Sequence, residues 1–117
     1  MEPIRQIIYY KHYFEEFFNE QTDKVKAKID EVLFTITIVD RVPKKFLDHL
    51  TGTNGLYEVR IELGSNIYRV FCCFDEGRLV VLFNGFQKKT QKTPKSVIEK
   101  AERLKLEYFE EKKNKRS

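Results

Sequence analysis

After an initial strand, the spacing of apolar residues divides the chain into a helical first half and a β-rich second half. Residues 3–11 are rich in Ile and Tyr and predict the first strand. In residues 12–19, Tyr13, Phe14, Phe17 and Phe18 fall at helical spacing. Residues 19–21 form the bend of a helical hairpin. Thr22 is placed to cap a second helix starting at Asp23, and Val25, Ile29, Val32, Leu33 and Ile36 keep the helical period. The run 34–39 is β-branched enough to suggest a strand. The period carries through it without a turn signal, so the helix is expected to reach about Asp40, with Pro43 ending it. Residues 44–50 read as a short connection of about one helical turn, and residues 51–55 as a loop.

Three strands follow. In residues 56–63, Tyr57, Val59, Ile61 and Leu63 alternate with Glu58, Arg60 and Glu62. Gly64, Ser65 and Asn66 turn the chain. In residues 67–74, Tyr68, Val70, Cys72 and Phe74 face one way, and Arg69, Phe71 and Cys73 the other. A turn around Gly77 leads to residues 79–86, nearly all apolar, as in a central strand covered on both faces. Thr93 and Pro94 open a last helix, expected to run to about Glu111 with Val97, Ile98, Ala101, Leu104 and Tyr108 on one face. Residues 112–117 read as a frayed basic tail. The fold class is α+β: an N-terminal strand and helical hairpin, then a three-stranded antiparallel meander and a C-terminal helix. The first strand is expected at the edge of the meander, and the helices on one face.

At 117 residues, one domain spanning 1–117 is expected. Ten Phe and six Tyr supply much of the core bulk. The net charge of +4 argues only weakly for a nucleic-acid partner, so the distribution of charge matters more. Cys72 and Cys73 are adjacent in an apolar run, point to opposite faces and read as small buried hydrophobes in a reducing compartment. His12 and His49 lack partners at zinc-site spacing, so no metal site is expected. No signal peptide or membrane-spanning run is visible, which gives the expectation of a cytoplasmic protein with no membrane partner.

Two features carry possible chemistry. Arg60 and Arg69 are nearly symmetric about the turn at Ser65 and are expected as cross-strand neighbours on one face. Like charges so placed cost stability, which points to an anionic ligand; the competing reading is a solvated face neutralised by Glu58 and Glu62. The second feature is Phe86-Gln87-Lys88-Lys89, with Lys92 and Lys95 following and no acid among them. Lysines neutralise phosphates and an aromatic ring stacks on bases. The competing readings are a solvated lysine loop and a core Phe86.

At these residues the chain resembles a known family. Gly52-Thr53-Asn54-Gly55-Leu56-Tyr57-Glu58-Val59-Arg60, then Tyr68-Arg69-Val70-Phe71, then residues 82–94 from Leu82-Phe83-Asn84-Gly85-Phe86 to Thr93-Pro94, are similar to the phage-derived HigB-like branch of the RelE/ParE toxin superfamily. The resemblance implies a toxin of a type II toxin–antitoxin pair that cleaves mRNA on the ribosome without a metal or other cofactor and so blocks translation. It implies catalytic roles for Arg60, Arg69 and Lys88, and RNA-binding roles for Lys89, Lys92, Phe86 and Glu58. The implied partner is an antitoxin, often with a helix-turn-helix domain.

The implied chemistry is physically coherent. RNA carries its own nucleophile, the 2′-hydroxyl. The enzyme assists its deprotonation, stabilises the pentavalent phosphorane and protonates the 5′-oxygen. Arg69 is expected on the phosphate, Arg60 on the phosphate or attacking oxygen, and Lys88 near the leaving group. Arg cannot act as an ordinary base, because it keeps its proton. Glu58 is read either as a base or as an ion-pair partner. Related enzymes carry a Tyr near the position of Thr93-Pro94, which this chain lacks, or a His or Asp near the site; here His49 lies just before the Gly52 loop, with neither a position nor neighbours that make it a clear ligand or base, which leaves the general acid unassigned. The alternatives are a ParE-like toxin that acts on DNA gyrase and cuts nothing, and a non-catalytic nucleic-acid-binding or regulatory protein.

Overall fold

A computed structural model of the chain describes residues 2–116. Strand β1 (Gln6–Tyr9) leads into helices α1 (Tyr13–Asn19) and α2 (Asp23–Ile38), followed by β2 (Leu47–His49), β3 (Tyr57–Leu63), β4 (Asn66–Asp75), β5 (Leu79–Lys88) and α3 (Lys95–Arg116). The strands form one sheet in the order β1-β5-β4-β3-β2. Its β1–β5 pairing is parallel and the other three are antiparallel.

The helical hairpin forms where the pattern placed it. Thr22 caps α2 by accepting from the Val25 amide at 3.3 Å, which satisfies one of the helix's open donors. The helix ends at Ile38, before Pro43 is reached. Val39 takes an extended conformation, and Arg5 at the head of β1 closes the helix end. Its guanidinium donates to the carbonyls of Ile36, Val39 and Asp40 at 3.1, 2.6 and 2.7 Å. A cation at a helix C-terminus satisfies orphan carbonyls and opposes the dipole. No local pattern reveals a contact made 31 or more residues away.

Residues 44–50 depart from the expected connection. A turn closes at Pro43, whose carbonyl accepts from the amides of Phe46 and Leu47. The chain then adds β2 to the sheet edge, with Leu47 opposite Val59 and Asp48 opposite Glu58. Three residues are too few to display a period of two.

The helices also cover both faces of the sheet instead of one. The α1–α2 hairpin packs Phe14, Phe17, Ile29, Val32 and Ile36 on Val59, Ile61, Val70, Cys72 and Leu82. On the opposite face, α3 sets Ala101 and Leu104 against Phe71, Cys73, Val81 and Phe83. Of the expected frayed tail, residues 112–116 are the last part of α3 and Ser117 lies outside the described residues; Lys112 holds both oxygens of the buried Asp75 at 2.8 Å. Tyr108 donates to the same carboxylate at 2.7 Å. Cys72 and Cys73 are free, fully buried and divided between the two cores, as their adjacency predicted.

A bulge in β5 sets the geometry of the site. From Val70 to Cys72, β4 advances two residues while its partner positions run from Gly85 to Leu82. The extra residue reverses the alternation of β5. Val81 and Phe83 face α3 before it, and Phe86 faces the same side after it. At the bulge, α1 presses directly on the strand. A Cβ on Gly85 would lie 2.6 Å from the Phe17 ring, so this position admits only glycine without a shift. Gly85→Ala is therefore expected to lower unfolding free energy by about 1–3 kcal/mol, as overpacked cores do, in urea denaturation.

Burial raises the thiol of Cys73 from 9.0 to about 12 and moves Cys72 in the same direction. Burial and its hydrogen bond to Glu111 raise Tyr10 to about 12. Each group holds its proton more tightly when folded, so the unfolded chain ionises first and stability falls as pH rises. Above about pH 9 each thiol is expected to contribute a slope approaching 1.4 kcal/mol per pH unit. Urea midpoints between pH 8 and 10.5 measure this loss, and the Cys72→Ala/Cys73→Ala variant should show a flatter slope.

Candidate functional site

The β3–β4 register brings the predicted arginines together. Arg60 lies directly opposite Arg69, flanked by the pairs Glu58–Phe71 and Glu62–Ile67. On the other side of β4, Arg69 pairs with Phe86 and Ile67 with Lys88. Residues directly opposite in an antiparallel ladder share a face. Glu58, Arg60, Arg69, Phe86 and Lys88 therefore lie on one face, the side that α3 covers further along the sheet.

Glu58 stands between the two guanidinium groups. One carboxylate oxygen is 3.7 Å from Arg60 Nε and the other 3.7 Å from Arg69 Nε. Both contacts are ion pairs, yet both are too long for hydrogen bonds. Both Nε atoms are buried with no hydrogen-bond partner. Each such donor costs about 1–3 kcal/mol of unrecovered desolvation. The remaining contacts are backbone acceptors: Arg60 donates to the Lys44 carbonyl at 3.4 Å, and Arg69 to the Tyr68 carbonyl at 3.1 Å.

Arg69 is not the solvated cation that one sequence reading allowed. Its side chain is 2% exposed, against 30% for Arg60 and 13% for Glu58. Burial lowers its pKa from the ordinary value and Arg60 adds to the effect, with Glu58 and Glu62 opposing. Arg60 and the half-buried Lys88 are the cations of this face that reach its surface.

The other candidates are more scattered. Phe86 is half-buried and stacks on Phe71 with centroids 5.6 Å apart, so it forms part of the α3-side core. Lys89 lines a cleft of about 520 Å³ between α1 and the end of β5, where Glu16 and Glu20 also lie. Lys92 is exposed in the following loop, and its carbonyl accepts from Thr90. His49 pairs with Tyr57, on the face opposite the arginines, and meets that ring edge-on at 5.2 Å. Two polar residues escaped the sequence reading. Asp48 joins the arginine face through its pairing with Glu58. Asn84, 5% exposed at the bulge, donates to the Val97 carbonyl and leaves its Oδ1 unpaired. A polar residue inside an apolar strand was the available signal for it. Among the described residues no group of three or more His, Cys, Asp or Glu is arranged to hold a metal ion.

Residues 16–105 match the family model described as phage derived protein Gp49-like (DUF891). The chain belongs to this family. The matched span of the Gp49-like protein contains Glu58, Arg60, Arg69 and Lys88 and begins after β1. Among solved structures, it resembles a chain in the archaeal RelE-RelB complex from Pyrococcus horikoshii OT3. The TM-score is 0.54 at 17% identity, covering 74% of this chain and 97% of that one. The Gp49-like chain thus has a RelE-like α+β fold. Comparison with curated proteins gave no match. Among the described residues no helix is long and apolar enough to cross a membrane.

Replacing buried ionic groups by apolar side chains of similar volume is often neutral or stabilising provided no buried charge is left unpaired, and without Arg69 the Glu58 carboxylate still has Arg60 as its partner. Arg69→Met is expected to unfold no more easily than the wild type, or to gain about 1–4 kcal/mol. Thermal and urea unfolding test this. A loss of stability would make Arg69 a structural residue.

Proposed function

We propose that this Gp49-like protein is the toxin of a type II toxin–antitoxin pair and acts as a ribosome-dependent mRNA endonuclease in the cytoplasm. Membership of a RelE-like toxin family and the RelE-like fold support the toxin reading. The solved neighbour is a chain of a RelE-RelB complex, which supports a proteinaceous antitoxin as partner. The finer HigB-like assignment and an antitoxin with a helix-turn-helix domain are part of the same proposal.

The observation that carries the nuclease reading is the arginine pair: two opposed guanidinium groups with buried, unpartnered Nε donors, beside Lys88 on one sheet face. An RNA phosphate supplies what this face lacks, a charged acceptor. Arg60 and Lys88 meet the phosphate first, being the more accessible. Arg69 adds positive charge from beneath, where the low dielectric strengthens its effect on the phosphorane. None of the three needs to exchange a proton for this electrostatic role. Glu58 is the carboxylate closest to the pair and the candidate base for the 2′-hydroxyl. Lys89, Lys92 and Phe86 extend the RNA contact away from the scissile phosphate.

The test is cell-free translation with the purified protein. The wild type is expected to give codon-phased mRNA cuts, and Arg60→Ala and Arg69→Ala to reduce them by about a hundredfold or more. Intact mRNA together with blocked DNA supercoiling would instead identify a gyrase inhibitor. Intact mRNA with RNA binding alone would identify a non-catalytic binder.

A further inference from the structure

Glu58 offsets one of the two charges of the arginine pair without hydrogen-bonding to either Nε. Charge-assisted N–H···O bonds close to about 2.7–2.9 Å, whereas both oxygens of Glu58 remain 3.7 Å from their Nε partners. The carboxylate is itself opposed by a like charge, since Asp48 lies directly across β2 from it. It is therefore a weakly held occupant. It is also more exposed than the guanidinium of Arg69, at 13% against 2%.

We propose that Glu58 is a displaceable stand-in for the ligand, and that the ligand is a phosphodiester monoanion which takes its place between Arg60 and Arg69. The inference rests on the reading above that this pair receives an RNA phosphate. The two non-bridging oxygens of a diester present the same two-acceptor edge as a carboxylate, with the same single charge. The exchange leaves the charge of the buried site unchanged.

The probe is dimethyl phosphate at pH 8. NMR follows the Nε–Hε signals of Arg60 and Arg69 and the carboxyl carbon of Glu58. Dimethyl phosphate is expected to move all three together in the wild type. Glu58→Gln removes the competing charge and is expected to bind dimethyl phosphate about tenfold more tightly. Unchanged or weaker binding in Glu58→Gln overturns the proposal. So does movement of Arg60 with Arg69 and Glu58 still. If Glu58→Gln does not fold, the wild-type titration decides alone. The nuclease reading fails separately if Arg60→Gln and Arg69→Met leave RNA binding and cleavage intact.

Discussion

Two guanidinium groups face each other across β3 and β4, and the core gives them no means of moving apart. The same register that places Arg60 opposite Arg69 places Val59 opposite Val70 and Ile61 opposite Tyr68. All four of those partners are buried under the α1–α2 hairpin. A slip of one residue would relieve the repulsion, but it would also turn the apolar set to the wrong face. Hydrophobic burial outweighs the electrostatic cost and thereby fixes the site. Stability created on one face of the sheet sustains a strained charge arrangement on the other.

The third cation depends on a different constraint. Lys88 shares the arginine face only because the β5 bulge reverses the strand's alternation after Phe83 and Asn84. That bulge lies where β1 has ended and α1 has taken over the edge of β5: Tyr9 pairs with Leu82, and Phe17 then fills the space beside Gly85. Gly85 accordingly couples the helical hairpin to the placement of Lys88. A side chain there would displace the α1 aromatic that holds this end of the strand.

The sequence-based reading succeeded where a period is long or a turn is tight. The opposition of Arg60 and Arg69 followed from symmetry about one turn, and the continuation of α2 through its β-branched run followed from its apolar period. It failed where position is decided by distant contacts. The end of α2 is set by Arg5, β2 gains its identity only from β3, and α3 takes the second face because β4 and β5 are apolar on both. The same applies within the site. The alternation of β3 and β4 puts the arginines on a polar stripe, but the depth of Arg69 depends on what surrounds it in space. Its partner Phe86 belongs to the α3-side core, so Arg69 sits at the margin of an apolar region.

That depth places stability and the proposed activity in tension at one residue. A cation acts more strongly on a nearby anion when water is excluded, so a buried Arg69 suits the stabilisation of a phosphorane. The same exclusion makes two adjacent cations intolerable in the free protein unless an anion stays with them. Glu58 supplies that anion from the same strand as Arg60, at separations that offset part of the charge but leave the donors unsatisfied. A tighter pair would stabilise the fold further while closing the site to any ligand. No carboxylate at all would leave the guanidinium groups repelling each other in low dielectric. The 3.7 Å separation lies between these limits, close enough for one of the two charges to be offset and too long for the arginines to be fully bonded.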